Sequence, residues 1–226
     1  MEAQIREANI TMTTGSILVA VVFAALYLAF LVWYGGKGKP LFHAEVDALL
    51  AEIQRQAGRQ EQAGGESPIL QQFRDLTQND DGREYYMVNL LKFRKKALYP
   101  EGSSFGDDPL AANNRYSRAI IPLLLRHGGH PVFLGQVQGR FLHPVGAEDW
   151  DQVGIVRYRS RRDMLKMAVE VAGTGIDIHK WAALEKTQVF PVRPLVSLVF
   201  IRATVAVLLF AIAVLLHVLL NGLKFY

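Results

Sequence analysis

Residues 150–167 read WDQVGIVRYRSRRDMLKM. Val153, Ile155, Val156 and Tyr158 bring β-branched and aromatic side chains together in a short apolar run, which predicts a buried strand over Asp151–Arg159. Ser160 stops it. With Asp163 three residues on, Ser160 opens an S-x-x-D cap, and Met164, Leu165, Met167, Val169 and Val171 supply the apolar residues of a helix running to about Val171. A strand that feeds directly into a capped helix is half of an α+β unit.

The flanking chain supplies the other half. Tyr85–Phe93, YYMVNLLKF, predicts a first strand, and Asp108-Pro109 predicts a helix start with a cap followed by proline at its first position. That helix runs to His127 and ends at Gly128-Gly129, with Pro122 predicting a kink or a helix broken in two. Pro131–Leu142 reads as a second strand, Asp177–Lys186 as a short helix and Thr187–Val192 as a last strand. The order β-α-β-β-α-(α)-β predicts an α+β, ferredoxin-like βαββαβ domain over residues 84–192. Its first and third strands are the most continuously apolar and are expected at the centre of the sheet. Upstream, residues 41–78 predict two juxtamembrane helices. The first carries Phe42, Val46, Leu49, Leu50 and Ile53 to about Gln60; a Gly-rich break at 63–67 follows, and Pro68 opens the second, with Ile69, Leu70, Phe73 and Leu76. Asn79-Asp80-Asp81-Gly82 is a turn.

Two apolar runs flank this region. Ser16–Tyr34 reaches roughly 28 Å as a helix, close to the hydrocarbon thickness of a bilayer, and ends in Trp33 and Tyr34 where an aromatic belt belongs. Leu195–Leu220 is the second run, with Arg202 placed to snorkel. Two transmembrane helices after a polar tail (residues 1–15) are expected, with both termini on one side. Lys37, Lys39, Lys180, Lys186 and Arg193 lie near the spans in the central region, against Arg6 and Lys224 in the tails. The imbalance predicts a cytoplasmic central domain with both termini outside. Ala20 with Ala24, and Ala25 with Ala29, give small-xxx-small spacing, which suits close helix approach or serves as apolar filler.

Among 226 residues, half hydrophobic, the net charge is only +4. Dispersed basic residues and that charge argue against a dedicated nucleic-acid binder. The absence of cysteine excludes disulfides, thiolate metal sites and a cysteine nucleophile.

MVNLLKF (87–93), YSR (116–118) on a helix ending in HGGH (127–130), PVFLGQV (131–137), DWDQVGIVRYRSRRDMLKM (149–167) and HKWAALEKTQVFPV (179–192) together resemble an uncharacterised branch of the dimeric α/β-barrel superfamily. Asn89 and the W-D…Y-x-S-R-x-x-M pattern are the most specific parts. Other branches include antibiotic-biosynthesis-type monooxygenases, muconolactone isomerases, haem-degrading enzymes and chlorite dismutases. The resemblance implies a ferredoxin-like fold that pairs into a barrel, and it carries no reaction to this chain.

Strand alternation puts Tyr85, Met87, Asn89, Leu91 and Phe93 on one face and Tyr86, Val88, Leu90 and Lys92 on the other. The first face is expected to be uncovered in a single domain and to pair with a second copy. Asn89 there either orients a ligand in the barrel cavity or is a satisfied buried amide. Gln136, Gln138 and Arg140 share a face that either makes the cavity polar or is solvated; Tyr116, Arg118, Arg126 and His179 extend the candidate ring. His127 and His130 are expected to cap a helix end rather than hold a metal. Arg157, Arg159, Arg161, Arg162 and Lys166 form one basic cluster, read either as a surface for anionic headgroups or as charges paired with Asp149, Asp151 and Asp163. His217, near the end of the second span, is an interfacial anchor or an axial ligand to haem or a pigment.

The leading expectation is a non-catalytic accessory or scaffold subunit of a membrane complex, with membrane lipids and a homodimer or other membrane subunits as partners and no cofactor. The alternative is a small-molecule enzyme, a cofactor-free oxygenase or isomerase or a haem protein, using the cavity around Asn89. A third is a haem- or pigment-holding membrane subunit built on His217.

Overall fold

In the computed structural model the described residues are 14–35, 38–58, 68–142, 146–197 and 199–222. The tail to residue 13 with Arg6, Lys37, the Gly-rich break and Lys224 lie outside them. Chain order is α1 (Thr14–Gly35), α2 (His43–Gln56), α3 (Pro68–Thr77), β1 (Tyr85–Phe93), α4 (Pro109–Arg126), β2 (His130–Gln136), β3 (Gln152–Tyr158), α5 (Arg161–Ala172), α6 (Asp177–Ala183), β4 (Leu184–Val192) and α7 (Ile201–Gly222). The chain divides into two units: α1 to Trp33 together with the segment from Ser197, and Tyr34–Val196.

In the Tyr34–Val196 unit, the stretch around Trp150 forms the strand and helix that its side chains favour. Ser160 Oγ accepts from the Asp163 amide at 3.1 Å and caps α5. At α4, Asp108 accepts from the Leu110 amide at 2.8 Å with Pro109 in the first turn. The four strands form one antiparallel sheet in the order β2-β3-β1-β4. β1 and β3 are central, as their apolar continuity predicts.

Side-chain packing tells the two sheet faces apart. Leu91 and Phe93 of β1 pack on Ala112 of α4, Ala183 of α6 and Leu184. Tyr85 lies under the Arg161 guanidinium at the start of α5, 5.3 Å from its ring centroid. The helices therefore cover the Tyr85–Asn89–Phe93 face, which was expected to be the uncovered one. Alternation alone cannot say which side helices take; Ala112 and Ala183, both fully buried, allow α4 and α6 to approach this side closely. A further cluster lies away from the sheet, where Val46, Leu50 and Ile53 of α2 and Leu70 of α3 meet Leu165 of α5. The two juxtamembrane helices thus belong to the same unit as the sheet. Gly82 closes the link into β1 with φ +70°, and a Cβ there would come within 2.4 Å of the Lys39 backbone, so glycine is required on both counts.

Several elements differ from expectation, among them α7, which begins at Ile201 and not at Leu195. α4 is a single unbroken helix through Pro122, held by Ala112 and Leu124, both buried, near its two ends. β2 stops at Gln136, because the pairing with β3 ends at Gln152. β4 begins at Leu184, where pairing with Phe93 captures residues that helical spacing had claimed.

In the other unit, α1 and α7 are long and apolar enough to cross a bilayer. Their apolar side chains point outward, with Leu18, Val32, Val207 and Phe210 each more than half exposed. Tyr27 Oη donates to the Arg202 carbonyl at 3.3 Å.

Candidate functional site

The helix-covered face of the sheet carries polar groups among apolar neighbours. Asn89, opposite Gly154 in the register, donates through Nδ2 to the Met87 carbonyl at 3.1 Å and the Gly154 carbonyl at 3.3 Å. It faces the helix layer. Tyr85 and Tyr158, also paired, stack with ring centroids 5.5 Å apart. Tyr116 comes down from α4, and Lys180 of α6 places its amine 5.8 Å from the Tyr116 ring centroid and 5.3 Å from that of Trp181.

Burial sets the protonation of this group. It pushes Tyr116 up to about 12, with Asp177 adding to the shift. It raises Tyr158 further, with Tyr116 as a second cause, and raises Tyr85 well above the ordinary phenol value. All three phenols are therefore neutral hydrogen-bond donors throughout the physiological range. Burial lowers Lys180, partly opposed by Asp177. Among the described residues, the buried side-chain atoms without a partner are Tyr85 Oη, Arg115 Nη1, Gln152 Oε1 and Arg161 Nε. The hydroxyls of Tyr116 and Tyr158 and the Lys180 amine are not among them and keep contact with solvent. The arrangement brings neutral donors and an amine together on the helix side of the sheet.

Of the sequence candidates, Asn89 and Tyr116 lie on this side of the sheet. His179 sits beside Lys180 but turns to a separate aromatic group, with Nδ1 2.8 Å from Tyr99 Oη and Phe105 edge-on at 4.8 Å. Gln136, Gln138 and Arg140 are exposed and make no hydrogen bond or ion pair with this group; Gln138 reaches the Gln136 carbonyl, and Arg140 pairs with Asp149. Arg118 is exposed too, while Arg126 and His127 both contact Glu170. Lys180 and Tyr158 were missed. Tyr158 was legible in principle, since it shares a face with Asn89 once the register is known; nothing distinguishes Lys180 among basic residues before the fold brings Tyr116 to it.

The basic cluster does not form one open cationic face. Arg157 is fully buried, donating to Glu84, to the Tyr34 carbonyl at 2.6 Å and to the Gly128 carbonyl at 2.8 Å, with the Tyr34 ring 3.7 Å from its Cζ. His130, its cross-strand neighbour, stacks on the same tyrosine. Arg159 pairs with Asp163, Arg161 with Asp80 and Arg162 with Glu45, and only Lys166 is exposed. Of the three partners proposed from sequence, Asp163 is the one used; the α2 and turn carboxylates were too distant in sequence to suspect. Hydrogen bonding from Arg162 holds Glu45 below the ordinary carboxylate range.

Within the α1–α7 unit, His217 and Ser16 line a groove of about 390 Å³ with Ala20, Ala24, Tyr27 and Ala213 among its walls. It presents a single imidazole. Among the described residues no group of three or more His, Asp or Glu side chains is placed to hold a metal ion.

No protein-family model matches the chain, and no curated protein matches it. Crystal structures of one bacterial protein are among those similar to it. The RPA0582 protein of Rhodopseudomonas palustris, a protein of unknown function, shares 27% identity over 61% of this chain and 100% of its own, at a TM-score of 0.49. Its methylated form shares 28% identity over 60% of this chain and 96% of its own, at 0.50. The second likeness relates the folds and brings no activity with it.

Proposed function

We propose that the chain is an integral membrane accessory subunit whose ferredoxin-like domain, of the dimeric α/β-barrel type, assembles by pairing the free face of its sheet with that of a second copy. The strand order β2-β3-β1-β4 and the β-α-β-β-α-α-β order support the ferredoxin-like reading. The observation that carries pairing is the sheet face opposite α4 and α6. It bears Tyr86, Val88 and Leu90 of β1, Val153 and Ile155 of β3, and Phe133 and Phe190 on the two edge strands. Tyr34 at the end of α1 covers its Tyr86–Arg157 end, where Tyr86 is buried, while Phe133 and Phe190 remain 53% and 37% exposed. An apolar sheet face of this extent calls for a cover.

The charges at its end suit a like partner better than an acidic one. Lys92 is already paired with Asp151 and Lys186 with Glu148, so the face offers no uncompensated charge for a ligand of opposite sign. A second copy brings the same neutralised rim and an apolar centre, as an isologous interface requires. The two apolar helices anchor the assembly in the bilayer, and the basic residues beside them favour a cytoplasmic domain.

The test is oligomeric state. Full-length protein in detergent micelles should sediment as a dimer, and Val88→Lys should shift it to a monomer that keeps its near-ultraviolet circular dichroism. Met87→Lys, aimed at the helix-covered face, should instead damage folding. A wild-type monomer, or a Val88→Lys protein that remains fully dimeric, refutes the pairing.

A further inference from the structure

The Lys180 amine differs from the other described lysines of its unit whose partners are visible. Lys92, Lys96 and Lys186 each meet a carboxylate. Lys180 is only partly exposed, its amine lies 5.8 Å from the Tyr116 ring centroid and 5.3 Å from that of Trp181, and it has no hydrogen-bond acceptor or ion-pair partner among the described residues. Aromatic faces attract an ammonium weakly and cannot accept its protons as a carboxylate does. An amine partly withdrawn from water, with no carboxylate in contact, is shifted toward its neutral form, which is the nucleophile. The downward shift that burial imposes on Lys180 agrees with this. Around it, Asp177 is the carboxylate of its own helix, Tyr116 faces it from α4, and Tyr158 lies beyond Tyr116 on β3.

We propose that Lys180 is a carbonyl-capturing amine that forms an imine with an aromatic aldehyde. The flat walls of Tyr116 and Trp181 suit an aromatic ring more than a polar or branched chain. The neutral Tyr116 phenol, whose hydroxyl keeps contact with solvent, donates a hydrogen bond to the aldehyde oxygen as charge builds there. The nitrogen lone pair forms the C–N bond while the C=O π pair moves to oxygen, and one amine proton passes to that oxygen to give the carbinolamine. Loss of the hydroxyl with the second amine proton as water leaves a neutral C=N. No oxidant or reductant is consumed. This site lies on the helix-covered face and is independent of pairing through the opposite face.

Hydride trapping tests it on the intact protein. Full-length protein in detergent micelles is exposed briefly to benzaldehyde and sodium cyanoborohydride at neutral pH, and benzylated lysines are mapped by peptide mass spectrometry. Lys180 is expected to label at least tenfold faster than the exposed Lys95 and Lys166. Labelling at or below the rate of those two overturns the proposal. Tyr116→Phe keeps the aromatic wall and removes the donor, so it should slow Lys180 at least fivefold with Lys95 unchanged. An undiminished Lys180 rate in that variant overturns the role given to the phenol.

Discussion

Replacing Arg157 by methionine tests how the buried corner beside Tyr34 is held. The guanidinium is sealed from solvent, stacks on the Tyr34 ring and makes short polar bonds to Glu84 at 3.0 and 2.5 Å, to the Tyr34 carbonyl at 2.6 Å and to the Gly128 carbonyl at 2.8 Å. Methionine fills most of the volume and supplies no donor. Two backbone carbonyls then lose their partners at about 1–3 kcal/mol each. Glu84 is 26% exposed and recovers part of its hydration, so its share of the loss is smaller. The sum falls near the roughly 3–5 kcal/mol typical of breaking a buried ion pair. At about 2–4 °C per kcal/mol for a unit of this size, the melting temperature should fall by roughly 10 °C. Thermal scans of full-length protein in micelles, followed by the tyrosine circular dichroism band, measure it. Arg157→Lys should be intermediate, because one ammonium cannot reach three acceptors on different segments. A melting temperature for Arg157→Met within about 2 °C of wild type would show that the corner is not energetically coupled to the rest of the unit.

Asp163 gives a pH signature. Burial pushes its carboxyl up, but hydrogen bonds from Arg159 and Ser160 outweigh this and hold it below its ordinary value, so its contribution is present above the unfolded-state value and lost as pH falls through the folded one. Denaturation midpoints of wild type and Asp163→Asn should differ at pH 7 and converge in acid; a constant gap across that range contradicts the assignment. For orientation, protease added to intact spheroplasts should spare residues 40–192, and cleavage there without lysis reverses the cytoplasmic placement.

The strands and helices were largely legible because each is written in local chemistry. Ser160 with Asp163 and Asp108 with Pro109 are caps whose hydrogen bonds span a few residues, and the apolar continuity of YYMVNLLKF and QVGIVRY foretold two central strands. The two long apolar runs likewise declared themselves by length and composition. Of the two outcomes expected at Pro122, the helix broken in two does not occur, and Ala112 and Leu124 pack near the two ends of the continuous α4.

What the sequence could not decide was which face of each strand meets a helix and which charge meets which. Period-two alternation separates two faces and leaves them equivalent until a helix covers one. Asn89 accordingly lies on the helix side, where Ala112 and Ala183 carry α4 and α6. The basic run at 157–166 looked like a single surface because its residues are neighbours in sequence. Its partners Glu84, Asp80 and Glu45 lie roughly 70 to 120 positions away, and folding disperses the run into a buried clamp and separate ion pairs. Lys180 and Tyr116 are likewise 64 positions apart and have no local relation, so the chemistry proposed for them exists only once α4 and α6 are packed on the sheet.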